Sequence, residues 1–236
     1  MSYLSEITVA VLAGGLGTRL KSVVFNRPKA LADVNDKYFL SYLLDYLIRA
    51  GFKYVVLCTG YLGDQIQNAY GDTYGSLKLS YSRESKPLGT AGALRLAEPQ
   101  FRSDFIFVMN GDSIYNTDIK RFWMWHRKQK RDASLLLTKV SDIKRFGQVI
   151  VDNQEKVTCF EEKSINDGAG WINSGIYIID RKLIKEIPEN QKVSLENEVF
   201  PVWIDKQFYG LKSEGRFIDI GTPESYKKAR MFFTNI

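Results

Sequence analysis

Histidine occurs once and cysteine twice in the 236 residues of this chain. The one histidine, His126, lies in a basic stretch away from any other candidate ligand, so histidine-based metal centres and Ser-His nucleophilic catalysis are not expected. Cys58 and Cys159 stand far apart in apolar or alternating segments, so they read as buried small hydrophobes and not as a disulfide or metal pair. No apolar run approaches the roughly 20 residues that span a bilayer, and Met1 to Thr8 carries neither the basic patch nor the apolar core of a signal peptide. The expectation is a cytoplasmic protein without membrane insertion. Internal repeats, linkers and low-complexity stretches are also lacking, which favours a single domain over residues 1–236 with its core at about 7–230.

Two well-known phosphate loops are missing as well. The chain has no G-x-x-x-x-G-K-[ST], and a dinucleotide fingerprint begun at Gly15 ends on Leu20 where a glycine is required. What stands in their place is Val9 to Leu12 followed by Ala13-Gly14-Gly15-Leu16-Gly17-Thr18-Arg19. This reads as a buried strand feeding a loop whose glycines let backbone N–H groups crowd around an anion, with Arg19 adding a planar cationic fork. Lys and Arg outnumber Asp and Glu by 33 to 27, a net charge of +6, which suits nucleic acid, membrane surfaces or phosphorylated metabolites alike.

Farther along, Pro28 holds Lys29 in an extended or turning segment. Leu40, Leu43, Leu44, Leu47 and Ile48 form one helical face that Gly51 terminates. Strands are expected at Tyr54 to Cys58, Leu77 to Ser82 and Phe105 to Met109, with helices at Asp64 to Tyr70 and from about Gly89 to Ala97. This alternation predicts an α/β fold with a mostly parallel, doubly wound sheet. The Gly89-Thr90 loop opens a helix whose N-terminus suits an anion or a base edge. Asn110-Gly111-Asp112 places a carboxylate just past a strand end, where ligands of such sheets bind.

Asp118 to Lys130 mixes basic residues with Phe122, Trp123, Trp125 and His126. Such a stretch can grip nucleic acid or a membrane, but its spacing favours an amphipathic surface helix with Phe122 and Trp125 turned to the core. The second half is richer in strands, at Ala133 to Val140, Gln148 to Val151, Val157 to Glu162, Trp171 to Ile179 and Arg216 to Ile220. Helices are expected at Lys182 to Ile187, at Glu196 to Ile204, and after Thr222, which caps the last one with Pro223 at its first position. Asp112 and Asp219, at two strand ends, form a sensible Mg²⁺ pair, because Mg²⁺ takes one or two carboxylates plus substrate phosphates. Arginine, lysine and Mg²⁺ together neutralise a triphosphate, the equipment of in-line substitution at phosphorus.

Leu12 to Leu20, Pro28-Lys29, Pro87 to Ala93, Asn110 to Asp112, Phe160 to Lys163, Asn173 to Tyr177 and Asp219 to Glu224 together resemble the sugar-1-phosphate nucleotidyltransferases. That resemblance implies a Rossmann-like mixed sheet with helices on both faces, and an enzyme that joins a sugar 1-phosphate to a nucleoside triphosphate with release of pyrophosphate. By it, Leu12, Ala13, Gly14, Gly15, Gly17, Thr18, Glu84, Gly89 and Thr90 would hold the nucleotide, with Glu84 reading guanine. Arg19 and Lys29 would be catalytic, and Asp112 and Asp219 would bind Mg²⁺. Asn110, Gly147, Glu162, Lys163 and Asn173 would take the sugar phosphate. The short length and the Leu20-Lys21-Ser22 variant resemble bacterial D-glycero-α-D-manno-heptose 1-phosphate guanylyltransferases. Other members use hexose 1-phosphates with GTP, UTP, CTP or dTTP, and longer ones add a C-terminal β-helix for acyl transfer, which is not expected here. Nucleic acid is not an expected partner on this reading, and the sequence leaves monomer and homo-oligomer both open.

Overall fold

A computed structural model describes residues 3–15, 17–20, 22–128, 131–144, 146–161 and 168–234. In chain order the first half comprises β1 (Thr8–Leu12), a small ribbon of β2 (Asp33–Val34) and β3 (Lys37–Tyr38), α1 (Phe39–Ala50), β4 (Tyr54–Thr59), α2 (Gly63–Tyr70), β5 (Thr73–Tyr74), β6 (Leu77–Arg83), α3 (Gly89–Ala97), β7 (Phe105–Asn110), β8 (Ser113–Asn116) and α4 (Ile119–Lys128). The second half adds β9 (Ala133–Val140), β10 (Gln148–Val151), β11 (Val157–Glu161), β12 (Gly170–Asp180), α5 (Arg181–Lys185), α6 (Phe200–Trp203), β13 (Phe208–Lys212), β14 (Arg216–Asp219) and α7 (Pro223–Thr234). One π-helical turn, Leu195–Val199, leads into α6.

Ten strands join in one mixed sheet. Its main path runs β11-β10-β12-β7-β1-β4-β6-β5, with β9 beside β12 and β13 beside β9. The centre is parallel: β1 pairs with β4 and β7, and β4 with β6. Antiparallel pairing enters where β12 meets β7 and β9. The strand period decides the layers, since alternate side chains leave opposite faces. Val9 and Val11 of β1 join the cluster formed with α1, α2, α4 and α7, while Ala10 joins the one formed with α3, α5 and α6. Helices therefore cover both faces, as expected.

Gly51 ends α1 at φ +98°, its N–H and that of Phe52 reaching the Leu47 carbonyl at 3.2 and 3.1 Å. The Thr222 hydroxyl accepts from the Ser225 N–H at 3.3 Å, capping α7 as its sequence suggests.

Three expectations need correction. Cys58 is buried, and burial pushes its thiol up to about 12, whereas Cys159 is only half-buried. In α4 the buried aromatics are Phe122, Trp123 and His126, and Trp125 is half-buried, its indole N–H donating to Glu155 at 2.7 Å. His126 lies under Ser134, 2.9 Å from its hydroxyl, and burial with help from Arg131 and Arg127 lowers its pKa to about 3. These rings are spent on packing, as the amphipathic reading has it. Finally, β2, β3, β5, β8 and β13 are strands that the sequence does not announce.

Candidate active site

At the C-terminal end of β1 the chain is clamped before it turns. Ala13 N–H donates to Cys58 O at 2.8 Å, and Gly111 N–H donates to Leu12 O at 2.9 Å. The glycines here have different reasons. A Cβ on Gly111 would stand 2.8 Å from Leu12 O, and one on Gly14 would meet Glu84 Oε1 and the Thr59–Gly60 backbone at 3.2 to 3.3 Å. Gly17 has φ +58°, a left-handed conformation that favours glycine. Around Gly15, by contrast, no described atom lies within 4 Å of where a Cβ would be. That open side faces a cleft of about 300 Å³.

This first cleft is walled by Leu12 to Gly15, Lys29, Glu84, Gly89 and Thr90, Asn110 to Asp112, and Lys192. A second, of about 210 Å³, is walled by Arg19, Gly147, Asn173, Glu196, Asn197, Asp219 and Gly221, and it shares Asn110 and Asp112 with the first. Two compartments with a common wall suit two substrates that react with each other. Asn110, which lines both clefts, keeps its Oδ1 buried and without a hydrogen-bond partner among the described residues.

The charged groups gather at the junction. Ser113 is in register with Asp219 across the β8–β14 ribbon, and Ile220 N–H donates to Asp112 O at 2.9 Å, so the two aspartates come from facing strand ends. Asp219 Oδ1 accepts from Gly221 N–H at 2.8 Å and the Ser225 hydroxyl at 3.3 Å. Lys29 Nζ lies 2.5 Å from Asp112 Oδ2. A Cβ on Gly221 would be 2.7 Å from Asp219 Oδ1, 3.6 Å from Lys29 Nζ and 3.9 Å from Arg19 Nη2, so all three side chains converge on that glycine.

Glu84 is half-buried and accepts the Leu88 N–H at 2.9 Å, while its neighbour Arg83 pairs with Asp64. Burial raises the Glu84 carboxyl above its ordinary range, and the Leu88 hydrogen bond partly offsets this. The start of α3 departs from expectation. Val193 O takes the N–H groups of Ala91 and Gly92 at 3.0 and 3.3 Å, so this helix end is occupied by the chain itself. Gly89, at φ +72°, and Gly92 are needed because a Cβ on either would run into the carbonyls of Val193 or Gln191. Thr90 likewise turns inward, donating to Glu196 Oε2 and accepting from Leu195 N–H, both at 2.8 Å.

Asn173 sits at a register shift in β12, its N–H donating to Gly147 O at 3.1 Å and its Nδ2 to the Tyr177 hydroxyl at 2.8 Å. Thr18 is exposed and is not among the residues that line either cleft. Glu162 and Lys163 lie outside the described residues. Sequence reasoning missed Lys192, Glu196 and Asn197 as site residues; they line the clefts from the polar stretch that precedes and opens the helix expected at Glu196.

Two adjoining clefts with two carboxylates and two cations gathered where they meet suit a phosphoryl-type transferase. Residues 8–236 match the family described as Nucleotidyl transferase, and the chain belongs to that family. It is 35% identical to a D-glycero-α-D-manno-heptose 1-phosphate guanylyltransferase of Aneurinibacillus thermoaerophilus over 93% of this chain and 95% of that one. It is 33% identical to the mannose-1-phosphate guanylyltransferase of Mycobacterium tuberculosis over 94% of this chain and 63% of that one. Among solved structures it resembles HddC from Yersinia pseudotuberculosis complexed with GMP-PN, with a TM-score of 0.85, 35% identity, and coverage of 96% and 99%. Enzymes of this family generally work with a divalent metal, and two carboxylates with hard oxygen donors fit one.

Proposed function

We propose that this nucleotidyltransferase moves a guanylyl group from GTP to a sugar 1-phosphate of the D-glycero-α-D-manno-heptose type, with Mg²⁺, releasing pyrophosphate. The observation that carries the reading is the pair of clefts meeting at Asn110 and Asp112 with Lys29, Arg19 and Asp219 at the join. The 35% identity to a D-glycero-α-D-manno-heptose 1-phosphate guanylyltransferase over 93% of this chain supports the choice of acceptor. In the first cleft Gly14 and Gly15 leave room for the nucleotide and Glu84 is the acceptor facing its base. Asp112 and Asp219 would hold Mg²⁺, which when bound neutralises triphosphate charge.

A phosphate oxygen of the sugar phosphate, already ionised at neutral pH, attacks the α-phosphorus. The new P–O bond forms as the bond to the β-phosphate oxygen breaks, and the electron pair leaves with pyrophosphate. No general base is required, in keeping with the packed, neutral His126. Lys29 and Arg19 stabilise the charge that spreads over the phosphoryl oxygens. On this reading the chain forms one catalytic domain acting in the cytoplasm, where nucleoside triphosphates are made, on small substrates and not on nucleic acid.

The test is pyrophosphate release over a grid of triphosphates and sugar phosphates, with Mg²⁺ or a chelator. Maximal release with GTP and the heptose phosphate is expected. A maximum with mannose or glucose 1-phosphate, or with UTP, CTP or dTTP, would reassign the substrates, and release in chelator would remove the metal. Lys163 and Glu162 are proposed for the sugar phosphate, so Lys163→Ala should raise the KM of that substrate while leaving the KM of GTP nearly unchanged.

A further inference from the structure

Lys29 is the more deeply seated half of its ion pair: its side chain is 14% exposed and that of Asp112 is 43% exposed. Its ammonium sits 2.5 Å from Asp112 Oδ2 and also close to Gly221, whose N–H holds Asp219 Oδ1 at 2.8 Å. The ammonium is thus bonded to one carboxylate, Asp112, and lies beside the glycine whose N–H holds the other, Asp219. Arg19 Nη2 lies close to the same glycine, 3.9 Å from where its Cβ would be.

Charge decides what can displace it. Among the described residues that converge here two cations face two carboxylates, so a bare divalent cation gains little on approach. It would also have to break a charge-assisted hydrogen bond and leave an ammonium beside a second positive centre. A metal–triphosphate complex is different. It brings net negative charge, and its phosphate oxygens offer the released ammonium a new partner.

We propose that Lys29 acts as a stand-in for the metal in the nucleotide-free protein, holding Asp112 until the triphosphate arrives, so that metal enters with the nucleotide and not before it. This rests on the reading of Asp112 and Asp219 as metal ligands. One side chain then serves twice: it keeps Asp112 satisfied before the nucleotide binds, and on exchange it turns to the phosphates it is to stabilise. Binding order is built into the ion pair.

The test measures metal uptake, not turnover. Free Mn²⁺ is followed by electron paramagnetic resonance in wild type, Lys29→Met, Lys29→Gln and Lys29→Met/Asp112→Asn, without nucleotide and then with the α,β-methylene analogue of GTP. Without nucleotide, both single variants should bind Mn²⁺ at least about ten-fold more tightly than wild type, the scale of one charge-assisted contact removed. The double variant should lose that gain, and wild type should take up Mn²⁺ tightly only with the analogue. Equal binding by nucleotide-free wild type and both single variants would overturn the stand-in role, as would a gain that survives in the double variant. Failure of wild type to take up Mn²⁺ even with the analogue would refute the metal assignment itself. Using two variants of different polarity separates loss of charge from a packing defect, which thermal unfolding also monitors.

Discussion

Asp112 and Asp219 lie side by side because Ser113 faces Asp219 across a four-residue ribbon and the Ile220 N–H donates to the Asp112 carbonyl. The pairing is a backbone fact, so replacing either carboxylate should leave the ribbon standing. Asp112→Ala and Asp219→Ala should each cut turnover by about 10²- to 10³-fold, the scale of losing a transition-state electrostatic partner. Asp219→Ala also strips an acceptor from Gly221 N–H and Ser225, and Asp112→Ala strips the partner of Lys29, each at about 1 kcal/mol or more, so both melting temperatures should drop by a few degrees. Steady-state kinetics and thermal unfolding check both, and activity within a few-fold of wild type would refute the assignment.

Gly15 and Gly89 should behave oppositely. Nothing described lies near the missing Cβ of Gly15, so Gly15→Ala should melt with wild type yet raise the KM of GTP. Gly89 is at φ +72° against the Val193 carbonyl, so Gly89→Ala should lose about 2 to 4 kcal/mol of stability. Chemical denaturation and nucleotide titration of the two variants make the comparison, and equal stability would show that the Val193 contact is not obligatory.

Glu84 offers a test with pH. Guanine presents N1–H and a 2-amino group to an acceptor, so recognition needs the ionised carboxylate. Burial raises its pKa, and GTP binding should therefore weaken as pH falls through a value above that of an ordinary glutamate. Glu84→Gln should abolish this pH dependence and lower kcat/KM for GTP by about 10- to 100-fold. The raised folded pKa means that the ionised form costs stability above it, a cost relieved as pH falls below the unfolded value. Glutamine carries no such cost and still offers an oxygen to Leu88 N–H, so Glu84→Gln should be no less stable than wild type at pH 7. Unchanged use of GTP would place base choice elsewhere.

His126 makes stability sensitive to acid. Its folded pKa of about 3 lies below the ordinary 6.5, so between these values the unfolded chain binds the extra proton. Its contribution is complete above pH 6.5 and is lost as pH falls toward 3. His126→Asn should be less stable at neutral pH, having lost the ring packed on Trp123 and Phe105, but its stability should vary less across that window. Urea unfolding at a series of pH values decides it, and parallel curves would mean that His126 titrates normally.

The parts of the fold that sequence makes legible are those whose pattern has a local cause. β1, β4 and β7 are apolar runs because both their faces are covered, and Gly51 and Thr222 mark helix ends through backbone geometry and capping. β13 escapes notice because Gly210 interrupts its short apolar run; the glycine admits Val151 and Leu137, whose atoms would stand 2.9 and 3.0 Å from a Cβ. Around the site, Asp112 and Asp219 are legible as strand-end carboxylates. Lys192, Glu196 and Asn197 are not, because a chain reversal from the far half of the molecule carries them to the clefts. For the same reason Gly89 and Gly92 resemble an anion-binding helix start while serving to seat Val193.

The clefts divide the chain almost cleanly. Among the described residues the first is lined by 12–112 with Lys192 alone crossing over, and the second by 110–221 with Arg19 alone crossing back. On the proposed reading, donor and acceptor preference are therefore inherited from different halves of the gene. A chimaera joined just after Asp112 should take its base from one parent and its sugar from the other, and lineages of such enzymes can exchange one preference by recombination without rebuilding the other.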